Sequence, residues 1–132
     1  MTTLPLAGRT LGRPEGSFLL AEWTAGPGGD DPPRTIAPLH VHFEDDEAWY
    51  VLEGTLRFRI GGEEVEAGPG AAVFAPRGVP HTYWNPSPEP ARYLLVMTAN
   101  VYALIEELHA TGVLDAVGMR RVFENHASEL LE

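Results

Sequence analysis

Cysteine and lysine are both absent from this chain of 132 residues. Without cysteine there are no disulfides, no thiolate nucleophiles and no zinc–thiolate sites. Without lysine there is no Schiff-base chemistry on a side-chain amine. All nine basic residues are arginine, and against 19 acidic residues they leave a formal charge of -10. A surface this acidic repels a phosphate backbone, which argues against nucleic acid as a partner; the charge is read as a solubility device. No apolar stretch is long enough to cross a bilayer. The first residues, Met1-Thr2-Thr3-Leu4-Pro5, lack the charged start and long apolar run of a signal peptide. The expected setting is the cytoplasm, with no membrane partner.

Glycine (14) and proline (12) are abundant, together about a fifth of the residues, and they cut the chain into short segments. Strands are expected at Ser17–Thr24, Thr35–Phe43, Ala48–Leu52, Thr55–Ile60, Glu63–Glu66, Ala71–Ala75, His81–Trp84 and Ala91–Thr98. Leu56, Phe58 and Ile60 alternate with Thr55, Arg57 and Arg59, and Gly61-Gly62 fits a two-residue hairpin turn. The tail changes period. Val101, Leu104, Ile105 and Leu108 are spaced as on a helix that Gly112 ends. Asp115 can cap a second helix carrying Met119, Val122, Phe123, His126 and Leu130 on one face. The fold class expected is all-β, a barrel over residues 1–99, with residues 100–132 a C-terminal α-helical extension of the same domain.

Chemistry is concentrated in two segments. In the first, His40 and His42 project to one side of a strand, and Glu47 reaches the same point after a short turn. In the second, Pro76 and Gly78 make a turn that aims His81 inward. Three imidazoles and a carboxylate suit one divalent transition ion: iron, manganese, nickel, copper or zinc. Four protein ligands leave one or two octahedral positions open to water, dioxygen or substrate.

These segments resemble the two motifs of the cupin superfamily, Gly-x5-His-x-His-x(3,4)-Glu-x6-Gly and Gly-x5-Pro-x-Gly-x2-His-x3-Asn. Gly70, Pro76, Gly78, His81 and Asn85 match the second in full; His40, His42, Glu47 and Gly54 match the first, which departs only at its leading glycine, here Arg34. Fifteen residues separate the motifs, as in compact single-domain members. The resemblance implies a double-stranded β-helix, or jelly roll, pairing as a homodimer. In activity it is similar to quercetinase-like dioxygenases acting on a small enolic or aromatic substrate, with Glu47 as catalytic base. Isomerisation, cyclisation or decarboxylation at the same metal, and non-catalytic binding of a small ligand, stay open as alternatives.

Trp49 and Val51 share strand parity with Glu47, and Tyr83 with His81, so they are expected in the substrate pocket or, equally, as barrel filling. Tyr83 is a second candidate catalytic residue, as donor of a hydrogen bond or proton. Met97 is a candidate pocket residue, and Tyr93 is read with it as core packing. Glu44, Asp45 and Asp46 are read as a solvated turn, Arg57 and Arg59 as surface or dimer-interface residues, and His109 and His126 as helix-borne packing or surface histidines.

Overall fold

Strict alternation of side chains builds the barrel wall. The computed structural model describes residues 6–112 and 115–132. Among these residues, ten strands form two five-stranded antiparallel sheets. The strands are β1 (Thr10–Gly12), β2 (Leu19–Ala25), β3 (Thr35–His42), β4 (Glu47–Glu53), β5 (Leu56–Ile60), β6 (Glu63–Ala67), β7 (Ala72–Ala75), β8 (His81–Trp84), β9 (Ala91–Met97) and β10 (Ser128–Leu130). One sheet runs β1-β2-β9-β4-β7 and the other β10-β3-β8-β5-β6. On β4, Glu47, Trp49 and Val51 point inward and are buried while Tyr50 is exposed; on β9, Ala91, Tyr93, Leu95 and Met97 do the same. These residues meet Leu19, Ala21, Leu56 and Phe58 in one core. The result is the jelly roll expected from the sequence.

The turns follow local chemistry. Ile60 pairs with Glu63 across Gly61-Gly62, and Gly61 takes φ +60°, a conformation that favours glycine. Gly54 has φ +76°, and a Cβ there would meet the Pro90 carbonyl oxygen at 2.6 Å, so both conformation and space require glycine. Asn85 is a tie between loops: its Nδ2 donates to the carbonyls of Gly26 (3.0 Å) and Glu89 (2.7 Å). Arg34, at the motif's departing position, donates to the Pro27 carbonyl and pairs with Asp30.

Two helices follow β9. Helix α1 (Ala99–Ala110) is capped by Thr98, whose hydroxyl accepts from the Val101 amide; Gly112, with φ +72°, stands just past its end. Helix α2 (Ala116–Glu124) is capped by Asp115, which accepts from the Gly118 amide.

The expected face of the second helix is corrected. Met119, Val122 and Phe123 lie on α2, but the helix ends at Glu124, His126 sits in a turn, and Leu130 belongs to β10. Ala127 takes φ +52°, which turns the chain out of the helix and onto the free edge of β3. There Phe43 N donates to the Ala127 carbonyl and Leu131 N to that of Leu39, each at 2.9 Å. Satisfying an open strand edge wins over continuing the helical period.

Candidate metal centre

His40 and His42 leave β3 on one side, and His81 lies directly across from His40 on β8. Glu47 opens β4 in the other sheet. A loop bond locks the arrangement: the amide of Gly78, in the turn before His81, donates to the His42 carbonyl at 2.7 Å. All four side chains are buried, and one ligand atom from each lies within 4.8 Å of every other. His42 Nε2 is 2.7 Å from Glu47 Oε1, His81 Nε2 is 3.2 Å from that same oxygen, and the Nε2 atoms of His40 and His42 are 3.1 Å apart.

The tautomers follow from the outer nitrogens. His40 Nδ1 faces the Pro38 carbonyl at 2.6 Å and His81 Nδ1 faces the Val79 carbonyl at 3.2 Å; carbonyls only accept, so both Nδ1 atoms carry the proton. His42 Nδ1 faces Ser128 Oγ at 2.6 Å, and that hydroxyl spends its own proton on the His126 carbonyl. His42 Nδ1 therefore donates too. Three bare Nε2 lone pairs and a carboxylate oxygen then converge on one point. Acceptors this close repel unless a cation, either a proton or a metal ion, lies among them. The donor set fits a divalent ion, and the outer hydrogen bonds orient the rings as metal-ligand histidines require.

Titration follows the same geometry. Burial, then the neighbouring His81 and His42, lowers His40 to about 4. Burial raises Glu47, but with a proton, not a metal ion, among the four groups, hydrogen bonds with His42 and His81 outweigh it and hold the carboxyl at about 2. Burial also pushes the Tyr83 phenol well above its ordinary value and Tyr93 to about 12, so both remain protonated.

The four residues border a cavity of about 380 Å³. Trp49 and Tyr83 are in its wall, as parity suggests. Val51 and Met97 are not; both are sealed in the core, 0% and 1% exposed. Parity chooses the face of a strand but not the depth along the barrel axis. Tyr93, read as packing, does line the cavity. The far wall comes from the tail: Val101, Leu104, Ile105 and Leu108 of α1 and Phe123 of α2 close the barrel end. His109 is exposed at the rim.

Three further residues depart from expectation or went unnoticed. Asp45 is not solvated but 7% exposed, accepting from Thr98 Oγ1 and Asn100 Nδ2 at 2.8 Å each, which ties the ligand loop to the start of α1. Asp46 pairs with Arg77, and Glu44 is exposed. His126 bonds Glu107 at 2.7 Å. Ser128 carries no sequence signal, since nothing local announces a three-residue strand.

The family model described as a cupin domain matches residues 26–97. No curated protein matches. Among solved structures, the Thermus thermophilus protein TT1209 is 36% identical, with a TM-score of 0.54, over 62% of this chain and 72% of that one. A cupin-superfamily sugar phosphate isomerase from Silicibacter pomeroyi is 28% identical, TM-score 0.54, over 63% of this chain and 51% of its own. A salicylate 1,2-dioxygenase variant from Pseudoaminobacter salicylatoxidans is 19% identical, TM-score 0.55, over 68% of this chain and 25% of its own, and shares the fold alone. The chain thus spans about half of the isomerase and a quarter of the dioxygenase.

Proposed function

The chain belongs to the cupin domain family, and we propose that it is a metal-dependent dioxygenase acting on a small enolic or aromatic compound. The observation that carries this is the pairing of a buried three-histidine, one-glutamate group with an apolar, aromatic cavity. His40, His42, Glu47 and His81 would hold the ion: iron, manganese, nickel, copper or zinc. A bound divalent ion supplies a Lewis acid for the substrate's oxygen anion and a meeting point for dioxygen. Glu47 is the base: as the only carboxylate among the four, it takes the proton that the substrate's enol or phenol releases. Tyr83 keeps its proton and can donate to bound substrate. Helices α1 and α2 exclude water from the barrel end.

Isomerisation or decarboxylation would use the same ligands, and the similarity to a sugar phosphate isomerase makes sugar phosphates the main competing substrates. The wall counts against them. None of the nine arginines lines the cavity, so a phosphate dianion would find no guanidinium beside the metal centre.

The first test is elemental analysis of protein purified without added metal, beside His81→Ala. Near-stoichiometric metal that is lost in the variant supports the centre; no metal after reconstitution overturns it. Oxygen uptake with a panel of enolic and aromatic compounds then tests the reaction. Conversion without uptake favours isomerase or lyase chemistry, and neither favours a binding protein. Glu47→Gln is expected to retain some metal and lose turnover; turnover with metal bound overturns the base role.

We also propose a homodimer formed through the outer face of the β1-β2-β9-β4-β7 sheet. Leu20, Ala48, Tyr50, Phe74, Leu94 and Val96 make this outward face apolar where alternation ordinarily places polar residues.

A further inference from the structure

The cavity wall carries a second polar cluster, made of donors and separate from the ligands. The hydroxyls of Tyr83 and Tyr93 are 2.9 Å apart, and the Trp49 indole N–H approaches the Tyr83 oxygen without closing a hydrogen bond. One proton lies between the two oxygens; the other hydroxyl proton is unspent. Trp49 stands beside them, its ring centroid 5.4 Å from that of Tyr83. It is 2% exposed, and its Nε1 is the one buried side-chain polar atom without a hydrogen-bond partner among the described residues. All three side chains line the cavity. Two donors without a full partner in a largely apolar stretch of wall call for an acceptor, because buried polar groups in folded proteins are paired.

We infer that Trp49 Nε1 and the Tyr83–Tyr93 hydroxyl pair form a socket for a second oxygen of the substrate, distinct from the oxygen presented to the metal. The inference rests on the proposed function and narrows it to molecules with two separate oxygen functions on one flat framework. With no arginine in the wall, a carboxylate in the socket would have no guanidinium to pair with, and a neutral carbonyl suits the donors better. Trp49 also stands 5.6 Å, centroid to centroid, from His81, so socket and ligand group are adjacent and one aromatic ring can reach both.

The test compares two ligands that differ in that oxygen alone. 3,4-Dihydroxyacetophenone and 4-ethylcatechol share a metal-chelating diol and similar bulk, and only the first carries a carbonyl. Their dissociation constants are measured calorimetrically on protein loaded with zinc, which is redox-inert. The electronic effect of the acyl group on the diol is common to all protein forms, so the ratio of the two constants isolates the socket. Trp49→Phe and the double variant Tyr83→Phe/Tyr93→Phe remove donors while keeping the rings, with thermal melting as the check on folding. The wild type is expected to favour the ketone by about tenfold more than either variant does, the worth of a hydrogen bond in a dry site. Unchanged ratios in both variants, with zinc bound, overturn the socket alone. Zinc that fails to bind wild type in a His81-dependent way overturns the metal centre and the socket with it. No binding by either catechol also overturns the socket.

Discussion

His40 loses water on almost every side, and its imidazolium form suffers first from that burial and then from His81 and His42. With its folded value at about 4 and an ordinary value of 6.5, the unfolded chain takes up a proton in that window that the folded chain refuses. Folding stability must therefore fall as pH drops from 6.5 towards 4. Glu47 acts in a second, lower window. Its stabilising charge is fully present above the ordinary 4.5 and is lost as pH falls towards 2. Urea melts of chelator-stripped protein are expected to show stability declining already between pH 6.5 and 5, where ordinary carboxylates stay charged. His40→Gln removes that upper part of the decline and leaves the lower one. A wild type that is flat across the upper window contradicts the burial of a neutral His40. Both residues were legible in the sequence as candidate ligands, His40 because its two-residue spacing from His42 on a strand fixes their common direction, and Glu47 because a short turn brings it to the same point. Their titration was not, since it depends on His81 and on a lid that arrives much later in the chain.

Among the elements, β10 has the least conspicuous sequence and an unexpected task. Eight strands and both helices were readable from alternation, helical spacing, turn glycines and the cap Asp115, whereas the cap Thr98 was read as the end of a strand. The return of the tail was not, because Ser128-Glu129-Leu130 is too short for periodicity and forms only where β3 leaves an edge to be paired. That pairing sets Ser128 opposite His42 and delivers its hydroxyl to His42 Nδ1. Ser128→Ala strands a buried N–H and frees the imidazole to rotate or change tautomer. A loss of about tenfold or more in metal affinity is expected, as for other outer partners of ligating histidines. Chelator competition measures it, and Ser128→Thr, which keeps the hydroxyl, is expected to restore most of the loss. Equal affinity in the alanine variant and wild type removes the positioning role. The element also explains why the helices close the cavity: α1 and α2 are held between β9 and a strand anchored on the metal-ligand sheet, with Asp45 tying the ligand loop to Thr98 and Asn100.

Across the whole molecule, the outer faces of the two sheets differ in kind. On the β10-β3-β8-β5-β6 sheet, Arg57 pairs with Glu66 and Glu64, and Arg59 with Glu64, the charged surface that water-facing strands ordinarily present. The opposite sheet presents Phe74, Tyr50 and Val96, exposed by 57%, 43% and 37%. Register makes these neighbours: Ala48 lies across from Phe74 on one side and Val96 on the other, and Tyr50 lies beside Leu94. Arg92, bonded to Glu22 and Glu53, borders the patch with charge. An apolar centre with a polar rim is the anatomy of an interface, and a face closing on its own copy satisfies two-fold symmetry. Sedimentation is expected to give twice the chain mass of 14.4 kDa for the wild type and a monomer for Phe74→Glu, which places a carboxylate on the most exposed of these apolar side chains. Because Phe74 points away from the cavity, the monomeric variant should keep its metal, which separates loss of pairing from loss of fold. A wild type that sediments as a monomer leaves this face without its second copy.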